Sequence, residues 1–267
     1  MRIELDVSLD PTLGCGQAHR WRKSEGLWNG VLGENVVYLR ETEYGFEAKG
    51  CPDRKILLEH FRSGDDLSEI TKEISAADPF VKNLISSCPG MRILKQQPWE
   101  CLATYVLATN ANVKRIAQMV DSVCEKFGKD LGERRAFPSA KQILDKHEEI
   151  PACRLGYREG RFIELAENVE NGKIDLKAFE EMDYDECVSS LIKINGVGPK
   201  VADCVALFGF GHLEAFPVDA RISRILGEMY GVSGNYKVMA EFGRKRFGRY
   251  AGYAQEYLYH SPSILMR

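Results

Sequence analysis

Polar and apolar positions alternate over the first fifty residues, with apolar side chains at every second place in Ile3-Glu4-Leu5-Asp6-Val7 and again in later short runs. A period of two predicts strands with one buried face. They fall near residues 2–7, 27–32, 35–40 and 43–49, an antiparallel meander in which Trp28-Asn29-Gly30 and Gly33-Glu34-Asn35 supply turn chemistry. From about Asp53 the period lengthens: Ile56, Leu57, His60 and Phe61, then Leu102, Tyr105 and Val106, then Ile116, Met119, Val120 and Val123 recur at helical spacing. The expected fold is therefore α+β: an N-terminal β-sheet unit with flanking helices over residues 1–90 and a larger all-helical region over 91–267, in two lobes with a cleft between them. No internal repeat or low-complexity tract interrupts it.

Composition narrows the setting. The eight cysteines are scattered, without metal-knuckle spacing, so they read as small core residues of a reduced protein, and neither a metal nor an organic cofactor is expected. The opening residues alternate instead of forming a signal-like apolar run, and no apolar stretch reaches membrane-spanning length. The expectation is a soluble monomer, cytoplasmic or, in a eukaryote, nuclear. A net charge of −3 speaks weakly against nucleic acid. Its distribution does not: acidic residues crowd Glu164 to Glu186, whereas Arg154, Arg158 and Arg161 cluster upstream and Arg244-Lys245-Arg246-Phe247-Gly248-Arg249 is strongly basic. The basic stretches are expected to face phosphate.

The chemistry centres on residues 191–208, where an apolar helix end runs into Asn195-Gly196-Val197-Gly198-Pro199-Lys200 and a second helix. Gly196 and Gly198 permit backbone angles closed to other residues, Pro199 suits a first helical turn, and the free amides there suit a phosphate. Such a turn is also common between helices that never touch DNA. Lys200 follows at once, and Phe216-Pro217-Val218-Asp219 later sets an acid just before a helix. Taken alone, Lys200 could be a phosphate contact or a surface lysine, and Asp219 an N-cap.

Together, hairpin, lysine and Pro-Val-Asp resemble the signature of the helix-hairpin-helix glycosylase superfamily. The resemblance implies that Lys200 attacks the sugar C1′ and that Asp219 steadies the cationic transition state. A lysine must be neutral to attack, so burial or neighbouring cations are expected to lower its pKa from about 10.4 towards neutrality. Further segments resemble the 8-oxoguanine DNA glycosylase family over nearly the whole chain: Gly16-Gln17-Ala18-His19-Arg20-Trp21 near the start, Thr109-Asn110-Ala111-Asn112, Leu155-Gly156-Tyr157-Arg158, and Tyr253-Ala254-Gln255-Glu256-Tyr257-Leu258-Tyr259. That resemblance implies a pocket for the flipped base made of Gly16, Cys204, Gln255 and Tyr259. It implies a DNA-contacting set of Asn110, Arg115, Tyr157 and Arg158, to which the hairpin glycines Gly196 and Gly198 and the phosphate-binding charge of Arg221 are added. Two places depart from the family pattern, Ala111 where an asparagine is usual and Arg221 where a histidine is common.

The function implied is excision of 8-oxoguanine opposite cytosine from double-stranded DNA, with strand cleavage through a Schiff base. An iron–sulfur glycosylase would need four closely spaced C-terminal cysteines, and the last here is Cys204. An alkylbase glycosylase normally lacks the lysine, and a DNA-binding module without catalysis would not need Lys200 and Asp219 together.

Overall fold

The computed structural model describes residues 1–260. An antiparallel sheet of five strands, β1 (Arg2–Glu4), β2 (Arg22–Ser24), β3 (Leu27–Leu32), β4 (Asn35–Thr42) and β5 (Gly45–Lys49), opens the chain in the order β1-β5-β4-β3-β2. Helix α1 (Leu9–Gly14) is inserted after β1. One face of the sheet carries Trp28, Val37, Leu39, Phe46 and Ala48, which bury against Leu9, Leu13, Trp21, Leu57, Phe61 and Leu94. This is the alternation that the sequence pattern requires.

Two details differ from expectation. Strand β2 has no apolar alternation to announce it; pairing with β3 creates it. Asn29-Gly30 is not a turn but lies within β3, and the chain reverses at Glu25 and Gly26, both in the left-handed region with φ of 50° and 75°. Gly30 serves a different need: a Cβ there would fall 2.4 Å from Cε3 of Trp21, whose buried ring lies flat against the strand.

The rest is helical: α2 (Arg54–His60), α3 (Leu67–Ala77), α4 (Pro79–Ser87), α5 (Pro98–Leu107), α6 (Val113–Phe127), α7 (Ala140–Leu144), α8 (Glu159–Glu170), α9 (Tyr184–Ile192), α10 (Pro199–Val205), α11 (Ala220–Tyr230), α12 (Tyr236–Phe247) and α13 (Ala251–His260). Most start on a side-chain cap from Asp, Asn, Ser or Gln, and three have proline as the first helical residue, where its missing amide is not needed. Helices α3 and α4 precede residue 90 but bury Leu67, Ile70, Ile74, Val81 and Leu84 in the helical core, against α12 and α13. Asp78 shows why. It caps α4 through Phe80 N (2.8 Å) and Val81 N (3.0 Å) and also accepts from Arg246 of α12 at 2.6 Å.

That pairing gives the basic run a structural role as well. Arg244 donates to the Tyr184 hydroxyl, Lys245 pairs with Glu241, and Arg249 pairs with Glu69 and Glu73 of α3. Arg246 and Arg249 thereby fasten α12 and the turn after it to acidic residues of the earlier helices. The sheet is joined to the helices by Arg20–Glu100 (3.2 Å), Arg22–Asp121 (2.7 Å) and Lys129–Glu34 (2.5 Å).

Replacing Gly30 by alanine forces Trp21 out of its seat and should lower the unfolding free energy by about 1–3 kcal/mol, read from urea denaturation.

Candidate active site

A cavity of about 750 Å³ opens where the first loop of the sheet unit meets α5, α10, the cap of α11 and α13. Its wall includes Gly16, Asn110, Gly196, Gly198, Lys200, Cys204, Asp219, Gln255 and Tyr259, nine of the residues singled out in the sequence, drawn from segments scattered over the chain.

The hairpin that carries Lys200 is built as expected with one correction. Gly196 is left-handed (φ 88°), and a Cβ on it would meet Cδ of Arg161 at 2.9 Å. Gly198 is extended (φ −89°) and caps α10, so it does not use the left-handed freedom. No atom would lie within 4 Å of a Cβ there, so its backbone is open to close approach. Pro199 follows as the first helical residue and Lys200 as the second, which directs the amine inward.

The Lys200 Nζ lies 5.1 Å from the centre of the Tyr105 ring, and Cys204 stands one turn along the same helix. Asp219 caps α11, its Oδ1 accepting from Ile222 N at 2.8 Å, so capping and a place at the cavity coexist in one side chain. The electrostatics overturn the expected lysine pKa. Burial pulls it down, but the Cys204 sulfur and the Asp219 and Glu256 carboxylates outweigh burial and hold it above the ordinary lysine value. In the free protein the amine is an ammonium. Burial also pushes the Cys204 thiol up to about 11.

Gly16 (φ 95°) needs its glycine for that angle, and its neighbour Gln17 is the clamp. The buried Gln17 amide donates to Thr12 O (2.8 Å) and Arg92 O (2.9 Å) and accepts from Leu94 N (2.8 Å), pinning the Gly16 loop to the chain entering α5. Across the cavity Gln255 is buried on α13, and Arg221 stacks at 4.9 Å on the Tyr259 ring.

Arg115, Tyr157, Arg158 and Arg221 lie outside the cavity wall. Tyr157 is exposed, and its hydroxyl donates to Thr109 O at 2.9 Å. Arg158 is buried and its Nε donates to the same carbonyl at 3.0 Å. Arg115 donates to Arg154 O. Tyr157 and Arg158 fasten the loop that turns at Asn110, a non-glycine residue held at φ 51°.

Sequence reasoning passed over His19, Tyr105, Tyr236 and Glu256, all in the wall. Tyr105 and Tyr236 sit in no recognisable motif, and His19 and Glu256 lie in two of the family-like segments without a role implied for them; folding brings all four to the wall beside Lys200. His19 is 8% exposed and neither ring nitrogen has a partner among the described residues. Burial, with Lys200 and Arg22 nearby, lowers its pKa to about 4.

A meander sheet beside a helical body, with a glycine hairpin setting a lysine into a cavity opposite an aspartate cap, defines a DNA glycosylase of the helix-hairpin-helix class. The family of 8-oxoguanine DNA glycosylase N-terminal domains matches residues 2–102. The chain is 31% identical to the probable N-glycosylase/DNA lyase of Methanothermobacter thermautotrophicus over 97% of its own length and 95% of the relative's. It is 30% identical to the N-glycosylase/DNA lyase OGG1 of Arabidopsis thaliana, covering 95% of this chain and 77% of that protein. The solved Clostridium acetobutylicum 8-oxoguanine glycosylase/lyase, bound to double-stranded DNA with cytosine opposite 8-oxoG, superposes with a TM-score of 0.91 at 29% identity, covering 96% of this chain and 91% of that one. A 3-methyladenine DNA glycosylase from Archaeoglobus fulgidus shares the fold, with a TM-score of 0.80 at 18% identity over 97% of both chains. The chain belongs to the 8-oxoguanine N-glycosylase/DNA lyase family.

Because His19 stays neutral in the fold while the unfolded residue titrates near 6.5, protonation favours the unfolded chain. Stability should fall as pH drops from about 6.5 towards 4, by roughly 3 kcal/mol from this residue. Urea denaturation of His19→Phe at several pH values should show a shallower acid slope; an unchanged slope removes His19 as the cause.

Proposed function

We propose that the protein excises 8-oxoguanine opposite cytosine from duplex DNA and then nicks the strand, acting as a glycosylase and a lyase. The observation that carries this reading is Lys200 in the wall of a cavity shared with Asp219, inside a chain whose relatives over nearly its full length are named N-glycosylase/DNA lyases. Catalysis at C1′ requires the base out of the stack, because the stacked duplex hides both the anomeric carbon and the base edge. The extruded base enters the cavity between Cys204 and Tyr259. There the Gly16 carbonyl faces the hydrogen-bearing N7 that marks an oxidised purine, and Gln255 reads its pairing edge.

Lys200 attacks C1′ while Asp219 stabilises positive charge on the sugar; with its geometry fixed by the helix cap, the carboxylate needs no rearrangement as charge develops. The covalent amine becomes a Schiff base, which permits β-elimination of the 3′ phosphate. The hairpin amides around Gly196 and Gly198 hold a backbone phosphate. Asn110 fills the space left by the extruded base, and Tyr157, Arg158 and Arg115 address the orphaned cytosine, with Arg221 adding phosphate contact. Tyr157 suits a wedge, being an exposed ring whose hydroxyl is anchored. Arg158 would exchange its Thr109 bond for the cytosine.

Among the described residues no helix is long and apolar enough to cross a membrane. An enzyme of this activity works where the genome is, in the cytoplasm or in a nucleus, and a monomer is enough to present one cavity to one lesion.

Incubation of wild type and Lys200→Gln with a duplex bearing one 8-oxoguanine opposite cytosine, with borohydride present, tests the reading. Wild type should release the base and become covalently linked to DNA, and the variant should do neither. Wild-type protein inert on this duplex would overturn the substrate, and a variant that still crosslinks would overturn Lys200. Asp219→Asn should lower the base-release rate by roughly a hundredfold or more while leaving DNA binding nearly intact, measured by single-turnover kinetics and gel shift.

A further inference from the structure

Lys200 presents a chemical difficulty that the roles above leave open. It must attack as a neutral amine, yet the cavity holds it as an ammonium. Asp219 is poorly placed to take the proton, since its Oδ1 is committed to the cap of α11 and the carboxylate is needed as an anion while the sugar becomes positive. A second carboxyl stands in the same wall. Glu256 is 5% exposed on α13, and its Oε2 is sealed from solvent without a hydrogen-bond partner among the described residues. A carboxylate so placed is costly to keep unless it has work at the site.

Glu256 follows Gln255 directly, and helical spacing sets Gln255, Glu256 and Tyr259 on one face of α13 towards the cavity. We propose that Glu256 is the proton relay of this enzyme, taking a proton from the Lys200 ammonium and delivering it to the departing base. The inference rests on Lys200 being the nucleophile.

The step balances. The ammonium transfers one proton to the Glu256 carboxylate, and the freed lone pair bonds to C1′. The bond from C1′ to the base nitrogen breaks with its electron pair on the base, and the carboxyl proton follows that pair. The positive charge remains on the now secondary amine, and Glu256 is again a carboxylate. Filling the cavity with the base expels water, which favours the neutral amine and neutral acid over separated charges.

The groups that face Glu256 set its readiness. They are Cys15 on the loop after α1, Asp219, Lys200 and Cys204 on α10, Tyr105 on α5, and Tyr259 on its own helix. Burial and the Asp219 charge raise its pKa, against the Cys15 thiol and the lysine, to about 7. A carboxyl in that range exchanges protons in both directions at neutral pH.

The test is single-turnover base release from a duplex with one 8-oxoguanine opposite cytosine, from about pH 5.5 to about pH 9, for wild type, Glu256→Gln and Glu256→Asp. Wild-type rate should climb as pH passes through about 7 and then level off. The amide variant should be slower by roughly a hundredfold at neutral pH and keep rising with pH, because solvent must then remove the proton from Lys200. The aspartate variant should recover part of the rate and the levelling. Should the amide variant fail to melt cooperatively like wild type, the aspartate variant and the wild-type profile decide. A Glu256→Gln rate within about twofold of wild type, or a loss equal at every pH, would overturn the relay. If wild type releases no base, it is the substrate reading that fails; if wild type releases and crosslinks while Glu256→Gln matches it, only the relay does.

Discussion

An ammonium held inside a cavity is the constraint around which this molecule is arranged. Burial alone would lower the pKa of Lys200. The charge survives because three elements bring electron-rich groups to the same place: α10 its own Cys204, the start of α11 Asp219, and α13 Glu256. Each arrives by a different local rule. Lys200 points inward because Pro199 starts the helix one residue earlier; Asp219 is there because a helix start needs an acceptor; Glu256 is there because α13 presents one face to the cavity. Moving any one of these helix origins by a residue would swing its side chain by about 100°, since a helix turns every 3.6 residues.

The sheet unit completes the same cavity from the other side. Its contribution is a loop, Cys15 to His19, made rigid by the triple hydrogen bonding of Gln17 and by the Tyr105 hydroxyl, which donates to Gln17 O at 3.2 Å. Tyr105 thus touches both halves of the site, its ring beneath the lysine and its hydroxyl on the loop. The half-buried Arg20–Glu100 pair and Arg92, which donates to Asp6 O at 2.6 Å and Arg62 O at 2.9 Å, keep the sheet and helices from shifting against one another. A pocket that distinguishes bases by single hydrogen bonds needs that rigidity, because a hydrogen bond weakens steeply with a few tenths of an ångström.

Positive charge is distributed by partner as much as by sequence. The Arg244–Arg249 stretch looks like a phosphate-binding run, yet its charges meet Asp78, Glu69 and Glu73, residues far earlier in the chain. Around the cavity mouth the arginines instead hold main chain: Arg158 and Arg115 grip carbonyls, and the stem of Arg161 covers Gly196. The carbonyl of Thr109 is the shared anchor for Tyr157 and Arg158, and it precedes the strained Asn110.

What the sequence determined by itself are the features set by neighbours along the chain. These are the two-residue period of the sheet, the helical period after Asp53, the glycine-proline hairpin that launches a helix at Lys200, and an aspartate in front of another helix. Such features depend on backbone sterics and on unpaired amides at helix ends, which a few consecutive residues decide. Tertiary structure decided the rest. Strand β2 exists only because β3 offers it a partner. Helices α3 and α4 join the helical core because their apolar faces meet α12 and α13. The lysine keeps its proton because Cys204 and, from distant segments, the Asp219 and Glu256 carboxylates outweigh burial, and Glu256, an unremarkable letter beside Gln255, becomes a buried acid at the site. Charge and burial at a point are sums over everything packed around it, and no local stretch of sequence contains that sum.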